Sequence, residues 1–127
     1  CRRTKKGWKP DDFSHEQSIV FETEKGLVIF NSCSHGGIAN IVREVQNAFA
    51  GKKIYAVIGG FHMMKLSGLD TLGIPVDEVV KVARELKELG VEKVYTGHCT
   101  GMIAFEIMKR ELGNMVHALN TGCRIEI

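Results

Sequence analysis

A chain of 127 residues has room for one domain, because a single hydrophobic core typically occupies about 100 to 150 residues. With 44% hydrophobic and 25% charged residues it has the make-up of a soluble globular protein, which excludes a disordered or fibrous chain. Its 17 basic and 15 acidic side chains leave a net charge of +2, too balanced to argue for nucleic acid, and no apolar run reaches the roughly 20 residues of a membrane span.

The opening segment, residues 1–17, concentrates Arg2, Arg3, Lys5, Lys6 and Lys9 and reads as an irregular, solvated lead-in. From Ser18, SIVFETEKGLVIFNS contains two β-rich apolar runs around Glu24-Lys25-Gly26, a hairpin signal, and the continuous run Leu27 to Phe30 predicts a buried strand. After the corner SCSHGG, the residues Ile38, Ile41, Val42, Val45, Ala48 and Phe49 recur at helical spacing, with Gly51 as the stop. Lys53 to Ile58 is a second buried-strand candidate, broken by Gly59-Gly60.

The stretch MKLSGLDTLGI lacks a period and predicts a loop, after which Pro75 opens a helix with Val76, Val79, Val80, Ala83 and Leu86 as its apolar stripe and Gly90 as its end. Val91 to Thr96 is a third strand. A helix follows GHCTG with Ile103, Ile107 and Met108 facing inward, and VHALN and CRIEI predict two short closing strands. Strand and helix alternate after the hairpin, which favours an α/β layer with parallel pairing and helices covering the sheet.

The four cysteines, Cys1, Cys33, Cys99 and Cys123, are scattered without a CxxC pair, so a reduced, cytoplasmic protein is expected. Three of the five histidines occupy equivalent places: His35, His62 and His98 each lie just past the C-terminal end of a strand, beside glycines. Loops converge at that edge of an α/β sheet, and neutral imidazoles there suit zinc or iron. The competing reading is three hydrogen-bonded corner residues, and spacing alone leaves the choice open. Cys33 and Cys99 read first as small packing residues, with soft-metal binding or oxidation as the alternative. His15, near Asp11, Asp12 and Glu16, reads as part of a polar turn rather than an acidic site. The loop after His62, with Met63, Leu66 and Gly68, is read as either a substrate-shaping lid or a plain connection.

The strings KGLVIFNSCSHGGIANIV, KIYAVIGGFH and LKELGVEKVYTGHCTG resemble the second half of one branch of the metallo-β-lactamase superfamily, which includes metal-dependent hydrolases related to the dihydropterin-phosphate synthase of methanopterin biosynthesis. The resemblance runs from about Asp11 to Ile127 and is carried by CSHGGI and GHCTG in this order and at this distance. It implies that residues 1–127 form a single C-terminal half-domain, half of an αββα sandwich with a mixed sheet covered by helices. It further implies one or two divalent metal ions, zinc first with iron or manganese as alternatives, with His35 completing the first site and His98 the second.

Two departures qualify that inheritance. Where many relatives carry a bridging aspartate, this chain has Gly59-Gly60-Phe61-His62, so His62 is read as facing metal or substrate, or as structural. The superfamily signature HxHxDH is absent from the 127 residues, which begin at Cys1. The chain is therefore expected to be a fragment, inactive by itself, whose missing N-terminal half would complete hydrolysis of a small-molecule phosphoester or related ester by a metal-bound hydroxide. The alternative is a non-catalytic metal- or partner-binding half-domain. Either way the uncovered sheet face predicts a homo-oligomer or a missing half as partner, with no nucleic acid and no membrane.

Overall fold

The expected hairpin places Leu27, Val28 and Ile29 wholly out of solvent, because its second strand lies inside a sheet. The computed structural model describes residues 2–4, 7–65 and 71–127. Strands β1 (Arg2–Thr4) and β2 (Gly7–Lys9) form a two-stranded antiparallel ribbon. Within the segment read as irregular, residues 1–17, the ribbon departs from that reading, with three residue pairs matched across it and Gly7 at a φ of 110° that few other residues adopt, whereas residues 10–17 carry neither strand nor helix.

Strands β3 (Ser18–Thr23) and β4 (Gly26–Asn31) pair antiparallel from Ser18↔Asn31 to Thr23↔Gly26. Beside β4 lie β5 (Ile54–Gly59), β6 (Lys93–Thr96) and β7 (Val116–Ala118), all parallel and in chain order. The crossovers carry α1 (Ile38–Ala48), α2 (Val76–Glu88) and α3 (Met102–Leu112). Parallel crossovers are right-handed, and every step here moves the same way across the sheet, so all three helices fall on one face. There Leu27, Ile29, Ile54, Val57, Val94 and Val116 meet Val42 of α1, Val79, Ala83 and Leu86 of α2, and Ala104, Met108 and Leu112 of α3.

Spacing explains the helices. In α1, Ile38, Ile41, Val42 and Val45 make one buried stripe; in α2, Asp77 and Glu78 occupy the first turn and Lys87 the last, as the helix dipole favours. Ion pairs Arg43–Glu85 and Arg84–Glu111 are partly exposed, where such pairs are worth roughly 0–1 kcal/mol, so apolar burial rather than charge holds the layer. The stripe of α3 runs through Ala104, Met108 and Leu112 with Ile107 packed beside it, so Met108 and Ile107 face inward as expected while Ile103 is exposed, and Val76 is likewise exposed at the start of α2. CRIEI forms no strand: the backbone turns at Thr121-Gly122, with Gly122 at φ 84°, before it can follow β7.

Among the described residues, the opposite face of the sheet has no helices. Val28, Tyr55, Ala56 and Ile58 form a second small cluster there, against which Tyr95, Leu119 and Ile125 pack. Ile19, Phe21 and Phe30 are exposed beside it, with Phe21 and Phe30 edge to face at 5.7 Å. Phe30, expected inside, points to this face because side chains alternate along β4.

His117, on β7, stacks on Tyr95 with ring centroids 5.0 Å apart, and its Nε2 is buried without a hydrogen-bond partner. Burial first, then the charges of Lys93 and Lys109, hold its pKa below the usual histidine value despite a hydrogen bond with the Asn114 backbone. The unfolded chain therefore takes this proton first as pH falls. The stabilising contribution is complete above about pH 6.5 and is lost as pH drops through the lower folded pKa. Substituting His117→Phe keeps the stack and is expected to reduce the loss of urea stability between neutral and mildly acidic pH; an unchanged pH dependence would contradict this.

Candidate functional site

Three corners meet at the C-terminal edge of the parallel strands, and each is tied to its neighbours by named bonds. At the end of β4 the buried Asn31 Oδ1 accepts from the Ser34 N–H at 2.5 Å and the Ser34 hydroxyl at 2.8 Å, while Nδ2 donates to Ser18 Oγ at 2.9 Å. This closure turns SCSHGG sharply, with Ser34 at φ 46°. After β5, the Phe61 N–H donates to Thr100 Oγ1 at 2.9 Å, and Thr100 shares a 2.6 Å hydroxyl contact with Thr96 at the end of β6. The Met63 and Met64 N–H groups both donate to the Cys99 carbonyl at 3.0 Å. Corners from separate strands thus form one body.

Gly59-Gly60 makes that body possible. A Cβ on Gly59 would stand 1.7 Å from the Asn31 carbonyl oxygen, and one on Gly60 would stand 2.6 Å from Cys99 Sγ. Nothing larger than hydrogen fits at either place. His62 and His98, like Ser34, adopt left-handed backbone, at φ 52° and 50°, a conformation that costs a non-glycine residue about 1–2 kcal/mol and here aims two imidazoles from sharp turns.

His35 is held by Glu16. One carboxylate oxygen, Oε1, accepts the His35 N–H at 2.7 Å and lies 3.2 Å from His35 Nδ1; the other, Oε2, accepts the Gly36 N–H at 2.9 Å. Burial alone would raise the Glu16 carboxyl, but the Gly36 and His35 backbone donors and then the His35 ring outweigh it and hold it below the usual glutamate range. Phe13 stacks on the His35 ring at 5.1 Å and 9°. With Nδ1 on the carboxylate, the remaining nitrogen, Nε2, is the one left to act as a ligand.

The expected histidines divide into two groups. His35 and His62 lie ring to ring, 4.4 Å between centroids; burial first, and then the neighbouring His35, lower the His62 pKa, so its ring is neutral at pH 7. His98 instead groups with Cys33 and Cys99, their three donor atoms all within 4.8 Å of one another. The groups are joined, since the His62 N–H donates to Cys99 Sγ at 3.2 Å. Burial pushes the Cys99 thiol up to about 11. Cys99 is half-buried, with its Sγ beside the Cys33 and His98 donor atoms.

Met63 is 2% exposed and belongs to the main core, so it anchors the loop from below. The base of that loop is closed by backbone bonds from Lys65 to Thr71 and from Gly73 to Met63, whereas Leu66 and Gly68 lie outside the described residues. A groove of about 420 Å³ runs from His98 and Gly60 across the open sheet face to Ile19, Phe30, Ile58 and Leu119. A second concavity of about 550 Å³, between residues 12–18 and α1, has Glu16 in its wall but none of the three histidines. A smaller pocket of about 150 Å³, between the end of β6 and the start of α3, also has His98 in its wall. Sequence reasoning placed Glu16 in a polar turn with Asp11 and Asp12 rather than beside His35, which it reaches across 19 residues, and did not single out Thr100.

The donor set suits a divalent ion: neutral imidazoles, one backed by a carboxylate, with thiols alongside. No family model matches the chain. It is 36% identical over 112 residues, 88% of its length, to the 7,8-dihydropterin-6-methyl-4-(beta-D-ribofuranosyl)-aminobenzene-5'-phosphate synthase of Methanocaldococcus jannaschii, of which it spans 35%. It also superposes on a crystal structure described as a metal-dependent hydrolase of the β-lactamase superfamily, with 37% identity, a TM-score of 0.73, and coverage of 87% of this chain and 40% of that one. The chain spans well under half of the relatives it matches. With its mixed sheet, helices on one face and histidines at the strand edge, the chain belongs to the metallo-β-lactamase superfamily, in the branch that contains this archaeal synthase.

Proposed function

We propose that this chain forms one side of the active site of a metal-dependent hydrolase of phosphoesters or related esters, holding one or two divalent ions, zinc first, through His35, His98 and His62. Further donors would come from a companion half carrying HxHxDH. The observation that supports this reading most is the Glu16–His35 pair, because a carboxylate on Nδ1 fixes the tautomer and ring orientation a metal ligand needs. The bound ion supplies Lewis acidity and an activated water near neutral pH. The residues of the chain do the positioning. Glu16 orients His35 and His62 adds a neutral ring beside it, while the open sheet face bearing Ile58 and Leu119 is where the companion half would pack. A phosphate-bearing substrate is favoured by the name of the archaeal relative, which makes a 5'-phosphate.

The test joins this chain to an HxHxDH-bearing half and measures metal content together with hydrolysis of p-nitrophenyl phosphate and its bis-ester. His35→Ala and His98→Ala are each expected to lower kcat/KM by roughly 100-fold or more, beyond the 10–100-fold typical of groups behind the ligands, and to release metal. Full metal content and rate in both variants would reject the reading.

A second reading, a self-associating half-domain without catalysis, draws on the open sheet face. Ile19, Phe21 and Phe30 are exposed there, each forgoing part of the roughly 1.5–3 kcal/mol its burial is worth. The isolated chain is expected to elute as a dimer or larger in size-exclusion with light scattering, and Phe21→Lys to shift it toward monomer. A monodisperse wild-type monomer would count against this use of the face.

A further inference from the structure

Cys33 and Cys99 are not needed by the histidine reading, yet the fold brings them together with His98 from two separate corners. Cys33 follows β4, while His98 and Cys99 follow β6, and β5 lies between those strands. The corners can meet only across Gly60, where a Cβ would stand 2.6 Å from Cys99 Sγ and 3.0 Å from the Ser32 carbonyl oxygen. Both sulfurs are oriented by donors: the His62 N–H points at Cys99 Sγ at 3.2 Å, and the Ser32 hydroxyl lies 3.8 Å from Cys33 Sγ. Hydrogen bonds onto sulfur of this kind fix a thiolate for coordination and balance part of its charge. All three donor atoms fall within 4.8 Å of one another, and tetrahedral ligands about 2.0–2.3 Å from one ion lie roughly 3.3–3.8 Å apart, so binding draws the three side chains together by at most about 1.5 Å.

We infer that Cys33, His98 and Cys99 form a thiolate-rich site for a single borderline or soft divalent ion of the zinc class, its fourth position left to water or another ligand. Two thiolates and one imidazole favour zinc, cobalt or cadmium over magnesium, calcium or manganese, which prefer oxygen. The inference deepens the preceding reading through His98: it places sulfur on the ion that His98 binds and makes that site selective for thiophilic metals.

The probe is Co²⁺ alone, added to the reduced 127-residue chain. Expected is a near-ultraviolet sulfur-to-cobalt charge-transfer band that saturates at one ion per chain, disappears on adding Zn²⁺ and is unaffected by Mg²⁺. Cys33→Ser and Cys99→Ser should each weaken or abolish the band, whereas Cys123→Ser should leave it. A measurement on wild type guards against misfolded variants: Zn²⁺ should protect Cys33 and Cys99 together from iodoacetamide, mapped by peptide mass, and leave Cys123 open. Cobalt binding without a charge-transfer band, or a band that survives in both cysteine variants, would overturn the site while leaving the histidine reading standing. Loss of hydrolysis and metal in the joined protein's His35→Ala variant is unaffected by either result, so the two proposals fail separately. A disulfide between Cys33 and Cys99 that persists under reductant would also overturn it.

Discussion

Replacing Gly59 with alanine is expected to cost about 3 kcal/mol or more of folding stability, enough to remove a large share of the roughly 5–15 kcal/mol of a typical domain. Gly59 ends the fully buried β5 at φ 155°, and its missing Cβ would lie 1.7 Å from the Asn31 carbonyl oxygen and 2.8 Å from the Asn31 carbonyl carbon. The obstacle is backbone of the adjacent parallel strand, so relief requires β4 and β5 to part, not a side chain to rotate. Gly90→Ala is the control: at φ 75° it closes α2 in left-handed backbone and is also strained, but the space beside it is open, so a loss of about 1 kcal/mol is expected. Urea midpoints of the two variants measure the contrast. Equal losses would mean that the strand edge can open and that the corners bearing His35 and His62 are not rigidly placed.

Substituting Glu16→Gln is expected to weaken zinc binding at His35 by about 10- to 100-fold while leaving the fold intact. Glu16 serves three donors with two oxygens, and a carboxamide has only one: its NH₂ would face either the Gly36 N–H or the His35 pair. Because the Glu16 pKa is held below its usual value, the carboxylate is present above about pH 4.3 and is lost only as pH falls through the lower folded value. The difference between wild type and variant should therefore stay flat between about pH 5 and 7. Isothermal titration with Zn²⁺ checks both points, with Glu22→Gln, whose carboxylate pairs with Lys52 at the surface, as the variant that should change nothing. Equal affinities for wild type and Glu16→Gln would remove the carboxylate from the site.

Local patterns carried much of the architecture. The hairpin around Glu24-Lys25, the stripe of α1, the acidic start of α2 and the three histidine-bearing corners all follow from spacing that the physics of helices and strands makes legible within a few turns. In α3 Met108 and Ile107 pack inward as expected but Ile103 does not, because MIAFEIM is apolar on several sides and only the packing partner selects Ala104, Met108 and Leu112. Phe30 was misplaced for a related reason: a continuous apolar run does not say which of its members faces which side of a sheet.

By itself, then, the sequence determined an α/β order of elements and the presence of His35, His62 and His98 at strand ends, because both depend on neighbours a few residues apart. Only the tertiary structure decided which donors share a site. Glu16 reaches His35 across 19 residues, Cys99 reaches Cys33 across 66, and the His62 N–H reaches Cys99 across 37. Such meetings are set by strand order and by a glycine pair that admits close approach, quantities that no local period encodes.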